Sequence, residues 1–81
     1  MKFTAKVTIG LKEGMLDPEA RAIQHALANI GFATEGLSTA RVFVITLEAE
    51  DRAAAEAQVE QMCERLLANP VIHRSEVEVL A

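Results

Sequence analysis

Cys63, His25, His73 and the carboxylates Glu13, Asp17, Glu48, Glu50 and Asp51 are the side chains of this 81-residue chain whose types suit chemistry. A cysteine can act as a nucleophile or metal ligand when a base or positive field keeps it as thiolate. Cys63 instead falls on the apolar stripe of a predicted helix, which makes it a buried core residue. His25 lies opposite the apolar stripe of its own helix, and His73 sits in the last predicted strand. Neither has a second ligand at metal spacing, and Cys63 supplies none, so no metal site is expected. Carboxylate pairs can share acid–base work. Here Asp17 and Asp51 read as helix caps, and the others flank strand ends. Gly10 and Gly14 beside Lys12 could suggest a phosphate loop. No Walker A or dinucleotide-binding glycine pattern accompanies them, so turn chemistry is the simpler reading. No catalytic, cofactor-binding or metal-ligating residue is therefore expected.

The elements that carry these residues are marked by periodicity. Lys2 to Leu11 alternates Phe3, Ala5, Val7, Ile9 and Leu11 with polar or small residues, which predicts a strand with one buried face. Asp17 is an N-cap and Pro18 fits the first helical position, where its missing N–H costs nothing. Ile23, Ala26, Leu27 and Ile30 then share a stripe, and Gly31 can close the helix, placing it at Pro18 to Ile30. A short strand is predicted around Thr34 to Ser38, followed by a tight turn at Thr39-Ala40. Arg41 to Glu48 alternates with high β-branched content, another strand. Asp51 caps a second helix with Ala55, Val59, Met62, Cys63 and Leu66 on one stripe and Leu67 at its edge. That helix ends by Ala68, because Pro70 biases Asn69 out of the helical region. Val71 to Leu80 is the last strand.

The order β-α-β-β-α-β with right-handed crossovers predicts an α+β two-layer sandwich, ferredoxin-like or a close variant. Its four-stranded antiparallel sheet would carry both helices on one face. The chain reads as a single domain, residues 1–81. It is 51% apolar, ample for a core, with a net charge of −4. That charge and the absence of Trp and Tyr argue against nucleic acid as a partner. No apolar run reaches membrane-spanning length, and no signal peptide is expected ahead of the first strand. One cysteine cannot form an internal disulfide, so the expected compartment is the cytoplasm. Val42 and Val44 fall on the outer face of the sheet, a candidate for self-association, since so small a domain commonly gains stability by oligomerising.

Two stretches, "LKEGMLDPEARAIQHAL" and "MCERLLANPVIHRSEVEV", resemble the PurS family, the small subunit of phosphoribosylformylglycinamidine (FGAM) synthase in purine biosynthesis. The matching features are "K-x-x-x-L-D-P" at Lys12, Leu16, Asp17 and Pro18, and "C-E-x-L-L-A-N-x-V-I" at Cys63 through Ile72. Acidic alternation in the last strand extends the likeness over nearly the whole chain. One turn departs from the family. Where its members tend to have "R-x-G-K", this chain has Ser38-Thr39-Ala40-Arg41, keeping the charge at Arg41 but losing the glycine that a positive-φ turn would use.

The resemblance implies a non-catalytic subunit of a ligase complex that amidates formylglycinamide ribonucleotide (FGAR) to FGAM, with glutamine as nitrogen donor. A large synthetase subunit (PurL) would hold ATP and Mg2+, and a glutaminase subunit (PurQ) would release ammonia. The small subunit would support assembly and ammonia transfer as a homodimer or higher oligomer. Contacts with a partner or a second copy are expected at Met15, Leu16, Arg41, Val42, Val44, Asn69 and Pro70. Leu16 precedes the helix cap, but its usual staple partner would be Arg21, so starting the helix does not explain Met15 and Leu16. Either they tuck under the sheet edge or they meet a partner. Two other classes compete: a free-standing dimeric ligand-binding regulatory domain, by analogy of fold alone, and a small enzyme.

Overall fold

A computed structural model describes residues 1–80 of the chain. The elements are β1 (Lys2–Leu11), α1 (Pro18–Asn29), β2 (Ala40–Glu48), α2 (Arg52–Met62) and β3 (His73–Leu80), with a π-helical turn at Cys63–Leu67 after α2. β1 is central, and both neighbours pair with it antiparallel in the order β2-β1-β3. The register sets Lys2 opposite Glu48 and Gly10 opposite Ala40 on one side, and Thr4 opposite Leu80 and Leu11 opposite His73 on the other.

Alternation decides the core. Phe3, Ala5, Val7 and Ile9 are buried and pack with Ala55, Val59, Cys63 and Val79. Phe43, Ile45 and Leu47 of β2 and Val77 of β3 join from the same face but are only half-buried. On the opposite face Val42 and Val44 are exposed. α2 lies on β1 and β3. Its start is fastened by Asp51 Oδ1, which accepts from the Ala54 N–H at 2.8 Å, and by Arg52, which donates to the Val79 carbonyl.

The α+β class, the antiparallel sheet and the two long helices agree with the expectation from sequence, and three details do not. First, the sheet has three strands, because Thr34 to Ser38 forms none. That stretch includes Glu35, Gly36 and Ser38, poor strand formers. The hairpin to β2 is also missing, since no residue between Thr34 and Ala40 has positive φ. Asp17 moreover draws Thr39 toward the start of α1. Second, the stripe of α1 is not buried in its own chain. Ala20 is buried, whereas Ile23 and Ile30 are exposed and Leu27 is half-buried. Third, the α2 stripe is re-phased at its end. The Ala68 N–H donates to the Cys63 carbonyl at 2.9 Å, an i→i−5 bond that widens the turn by one residue. Leu66, predicted inside, is 85% exposed, and Leu67 takes its place against the core.

The last strand begins at His73 rather than Val71. Asn69 holds residues 69–73 in a turn: its carbonyl accepts from the N–H groups of Ile72 and His73, and its Oδ1 from the N–H of Val71.

Candidate functional site

The two sequence blocks that carry the family resemblance meet at one end of the sheet. β1 ends at Leu11 beside the start of β3, so the loop that follows it runs against the turn at Asn69–Ile72. The Lys12 N–H donates to the Ile72 carbonyl at 2.8 Å, and its Nζ to the Pro70 carbonyl at 2.6 Å. The Asn69 N–H donates to His73 Nδ1 at 2.9 Å. Gly14, at φ 84°, turns the chain from this junction toward α1, a conformation in which a Cβ would be strained. Lys12 therefore serves as a structural tie, and Gly14 does turn chemistry.

Asp17 joins the same end to β2. Its Oδ1 accepts from the Ala20 N–H at 2.9 Å, the expected helix cap, while its Oδ2 accepts from the hydroxyl of Thr39 at 2.8 Å and its N–H at 3.3 Å. The Ala20 bond, then the Thr39 hydroxyl, hold the Asp17 carboxyl below its ordinary pKa. Between these ties lies a cleft of about 660 Å³ floored by Gly10 and Leu11 and walled by Met15, Ser38, Thr39 and Arg74. Its charges are mixed, with Lys12 and Arg74 facing Glu13, Asp17 and Glu76. Thr39 and Arg74 were not predicted from sequence. Neither carries a motif, and their placement follows from register and from the loop between α1 and β2.

The sequence-predicted contact residues divide into two groups. Met15, Arg41, Asn69 and Pro70 belong to this end of the molecule, as the cleft lining, the Lys12 bond and the Gly10–Ala40 pairing require. Leu16, next in chain to Met15, is 77% exposed and Met15 is 44% exposed. They are not tucked under the sheet edge. Val42 and Val44 form the other group, on the open face, where they pair across to Thr8 and Lys6. Ala40 and Arg41 take up strand geometry without positive φ, so the lost glycine is accommodated by omitting the hairpin.

The carboxylates named above divide between two ends of the sheet, Glu13 and Asp17 at one and Glu48 and Glu50 at the other. Asp17 sits where β1 ends, whereas Glu48 is opposite Lys2 at the other end of the sheet. Eight residues of strand separate the two ends by about 27 Å. Cys63 is buried, and burial pushes its thiol pKa up, with Glu60 and Glu64 adding repulsion of the thiolate. Among the described residues no group of three or more His, Cys, Asp and Glu is placed to hold a metal ion, and no helix is long and apolar enough to cross a membrane.

The fold and this end of the sheet define a small α+β module in which Lys12, Asp17 and Asn69 fasten loops, and in which Met15, Leu16 and Val71 stand exposed beside the fastened turn. Comparison with known proteins agrees. The sequence profile of the PurS family, described as phosphoribosylformylglycinamidine (FGAM) synthase, matches residues 4–81, and the chain belongs to that family. It is 47% identical over 79 residues to the phosphoribosylformylglycinamidine synthase subunit PurS of Methanothermobacter thermautotrophicus, covering 98% of this chain and 94% of that one. The crystal structure of Methanocaldococcus jannaschii PurS superposes with a TM-score of 0.86 at 42% identity, covering 96% and 95% of the two chains. A chain in the structure of PurLQS from Thermotoga maritima gives a TM-score of 0.90 at 27% identity, covering 99% of each.

Proposed function

We propose that this chain is the small, non-catalytic subunit of FGAM synthase, working in the cytoplasm with a large synthetase subunit and a glutaminase subunit. The complex converts FGAR to FGAM at the expense of glutamine and ATP. The observation that carries the reading is the end-to-end family match over residues 4–81, which includes both blocks joined by Lys12. A PurS chain of the same fold occurs in a structure of PurLQS, which supports the two larger subunits as partners.

The small subunit's part is to bring synthetase and glutaminase together so that ammonia passes between them. Its own ionisable groups suit that passive part: Asp17 and Asp51 are helix caps, and Cys63 is held as a buried thiol. Lys12 donates to the Pro70 carbonyl, and on this reading ATP and Mg2+ belong to the synthetase subunit. The contact residues on this reading are Met15, Leu16, Arg41, Asn69 and Pro70 around the fastened end, with Val42 and Val44 on the open face. The chain acts as a homodimer or higher oligomer.

Co-purification tests the reading. The tagged chain, mixed with the two larger subunits, glutamine and Mg-ATP, is expected to retain both subunits through gel filtration. Elution of the chain apart from both would overturn it.

A further inference from the structure

Residues opposite each other on neighbouring strands share a face of the sheet. Ile9 lies opposite Arg41 and Leu11 opposite His73, so all four belong to the core face, at the fastened end. Thr8, Gly10, Arg74 and Glu76 alternate with them and line the 660 Å³ cleft on the other face. On the core face α2 gives way to the π-helical turn that ends at Leu67. Between Leu67, a floor of Ile9 and Leu11, and the start of α1 lies a separate hollow of about 410 Å³. That volume falls within the roughly 300–1,000 Å³ of small-ligand sites. Glu19, Arg41 and His73 also line it.

The fastenings place these three groups. Asp17 Oδ2 accepts from the Thr39 hydroxyl at 2.8 Å. Glu19 and Arg41 each stand two residues beyond that bonded pair, Glu19 in the first turn of α1 and Arg41 in β2, so one bond sets both at the same hollow. His73 Nδ1 accepts from the Asn69 N–H at 2.9 Å, which leaves the ring proton on Nε2 as a donor. The hollow therefore offers one carboxylate, one guanidinium and one neutral N–H over an aliphatic floor. Glu19 and Arg41 are both exposed, and an exposed pair attracts too weakly to exclude a ligand that brings both opposite charges. A simple anion would be repelled by Glu19 and a simple cation by Arg41. A molecule that carries both charges close together on an aliphatic body meets neither repulsion.

We propose that this hollow binds a free amino acid with an aliphatic side chain. Its carboxylate accepts from the Arg41 guanidinium and from His73 Nε2–H, and its ammonium donates to Glu19. Its side chain lies on Ile9, Leu11 and Leu67. The site goes beyond the assembly reading and rests on this chain alone, so its test contains no other subunit.

The test is a heteronuclear NMR titration of the full chain with L-leucine. The amide signals of Leu11, Arg41 and His73 should shift together and saturate by about 10 mM. Isocaproate, which lacks the ammonium, and isoamylamine, which lacks the carboxylate, should each bind about tenfold more weakly or worse. Glu19→Gln and Arg41→Gln should each weaken leucine about tenfold. Both positions are exposed, so circular dichroism should show unchanged folding. Arg74→Gln, on the other face, should bind leucine as the wild type does. The absence of saturable shifts overturns the proposal. So does isocaproate or isoamylamine binding as tightly as leucine, which would make the hollow merely apolar. Unchanged affinity in either Glu19→Gln or Arg41→Gln overturns it too, and loss of binding in Arg74→Gln moves the site to the opposite cleft and does the same. Any of these failures leaves co-purification with the larger subunits a separate question.

Discussion

Lys12 Nζ donates to the carbonyl of Pro70 at 2.6 Å, across 58 positions of sequence. The bond links the loop ahead of α1 to the turn ahead of β3, the two places where the family resemblance is strongest. Lys12→Met keeps the aliphatic stem and the backbone bond to Ile72 but removes this tie. Stability should fall by about 0.5–1.5 kcal/mol. Hydrogen exchange at the Ile72 and His73 amides should quicken several-fold, read by NMR. Unchanged exchange there would show that the tie does not hold the turn.

Asp17 and Thr39 form the second fastening. Thr39→Val keeps the shape and removes the hydroxyl donor, so a loss of about 1 kcal/mol is expected in chemical denaturation.

Asp17 also sets an acid limit. In the folded chain its carboxyl resists protonation more than in the unfolded chain, so the unfolded chain takes up the proton first as pH falls. The stability it confers is complete above its ordinary pKa of 3.8 and is lost as pH drops through the lowered folded value. Wild type should therefore exceed Asp17→Asn in melting temperature at pH 6, and the gap should close toward pH 2. A gap that stays constant with pH would remove the charge from the explanation.

Cys63 should be inert. Cys63→Ala should cost about 1 kcal/mol or somewhat more through lost packing, with activity of the complex intact below the melting temperature. A thiol reagent should label Cys63 at neutral pH only as fast as the chain unfolds. Rapid labelling of the folded protein would contradict the buried, raised-pKa thiol.

Leu16 separates folding from assembly. It is 77% exposed, so Leu16→Ala should change melting little. Retention of the larger subunits should weaken. Equal retention by both proteins would remove Leu16 from the contact surface.

Much of this was legible in sequence because it is local. The alternation of β1 and β2, the caps at Asp17 and Asp51 and the core position of Cys63 each follow from a few neighbouring residues. What failed depended on distant ones. The stretch Thr34 to Ser38 could be read as a strand only by ignoring that Asp17, 22 residues before Thr39, would claim its N–H and hydroxyl. The i→i−5 bond at Ala68 re-phases Leu66 and Leu67, and a uniform helical period does not anticipate it. The stripe on α1 announces an apolar face, yet Ile23 and Ile30 stay exposed because the path of the loops keeps that face off its own sheet. At the candidate site, Leu16 and Asn69 were marked by motif, and Met15 and Pro70 by standing next to them. Thr39 and Arg74 gave no signal, since register and a loop path bring them there.

The account stands most directly on one assay: glutamine-dependent formation of FGAM from FGAR and ATP by the purified synthetase and glutaminase subunits, with and without this chain. The chain alone should give no product, the two larger subunits little, and the three together full activity that saturates as the chain is titrated in. Full glutamine-dependent activity without the chain would contradict its role as a subunit. Product from the chain alone would contradict its being non-catalytic.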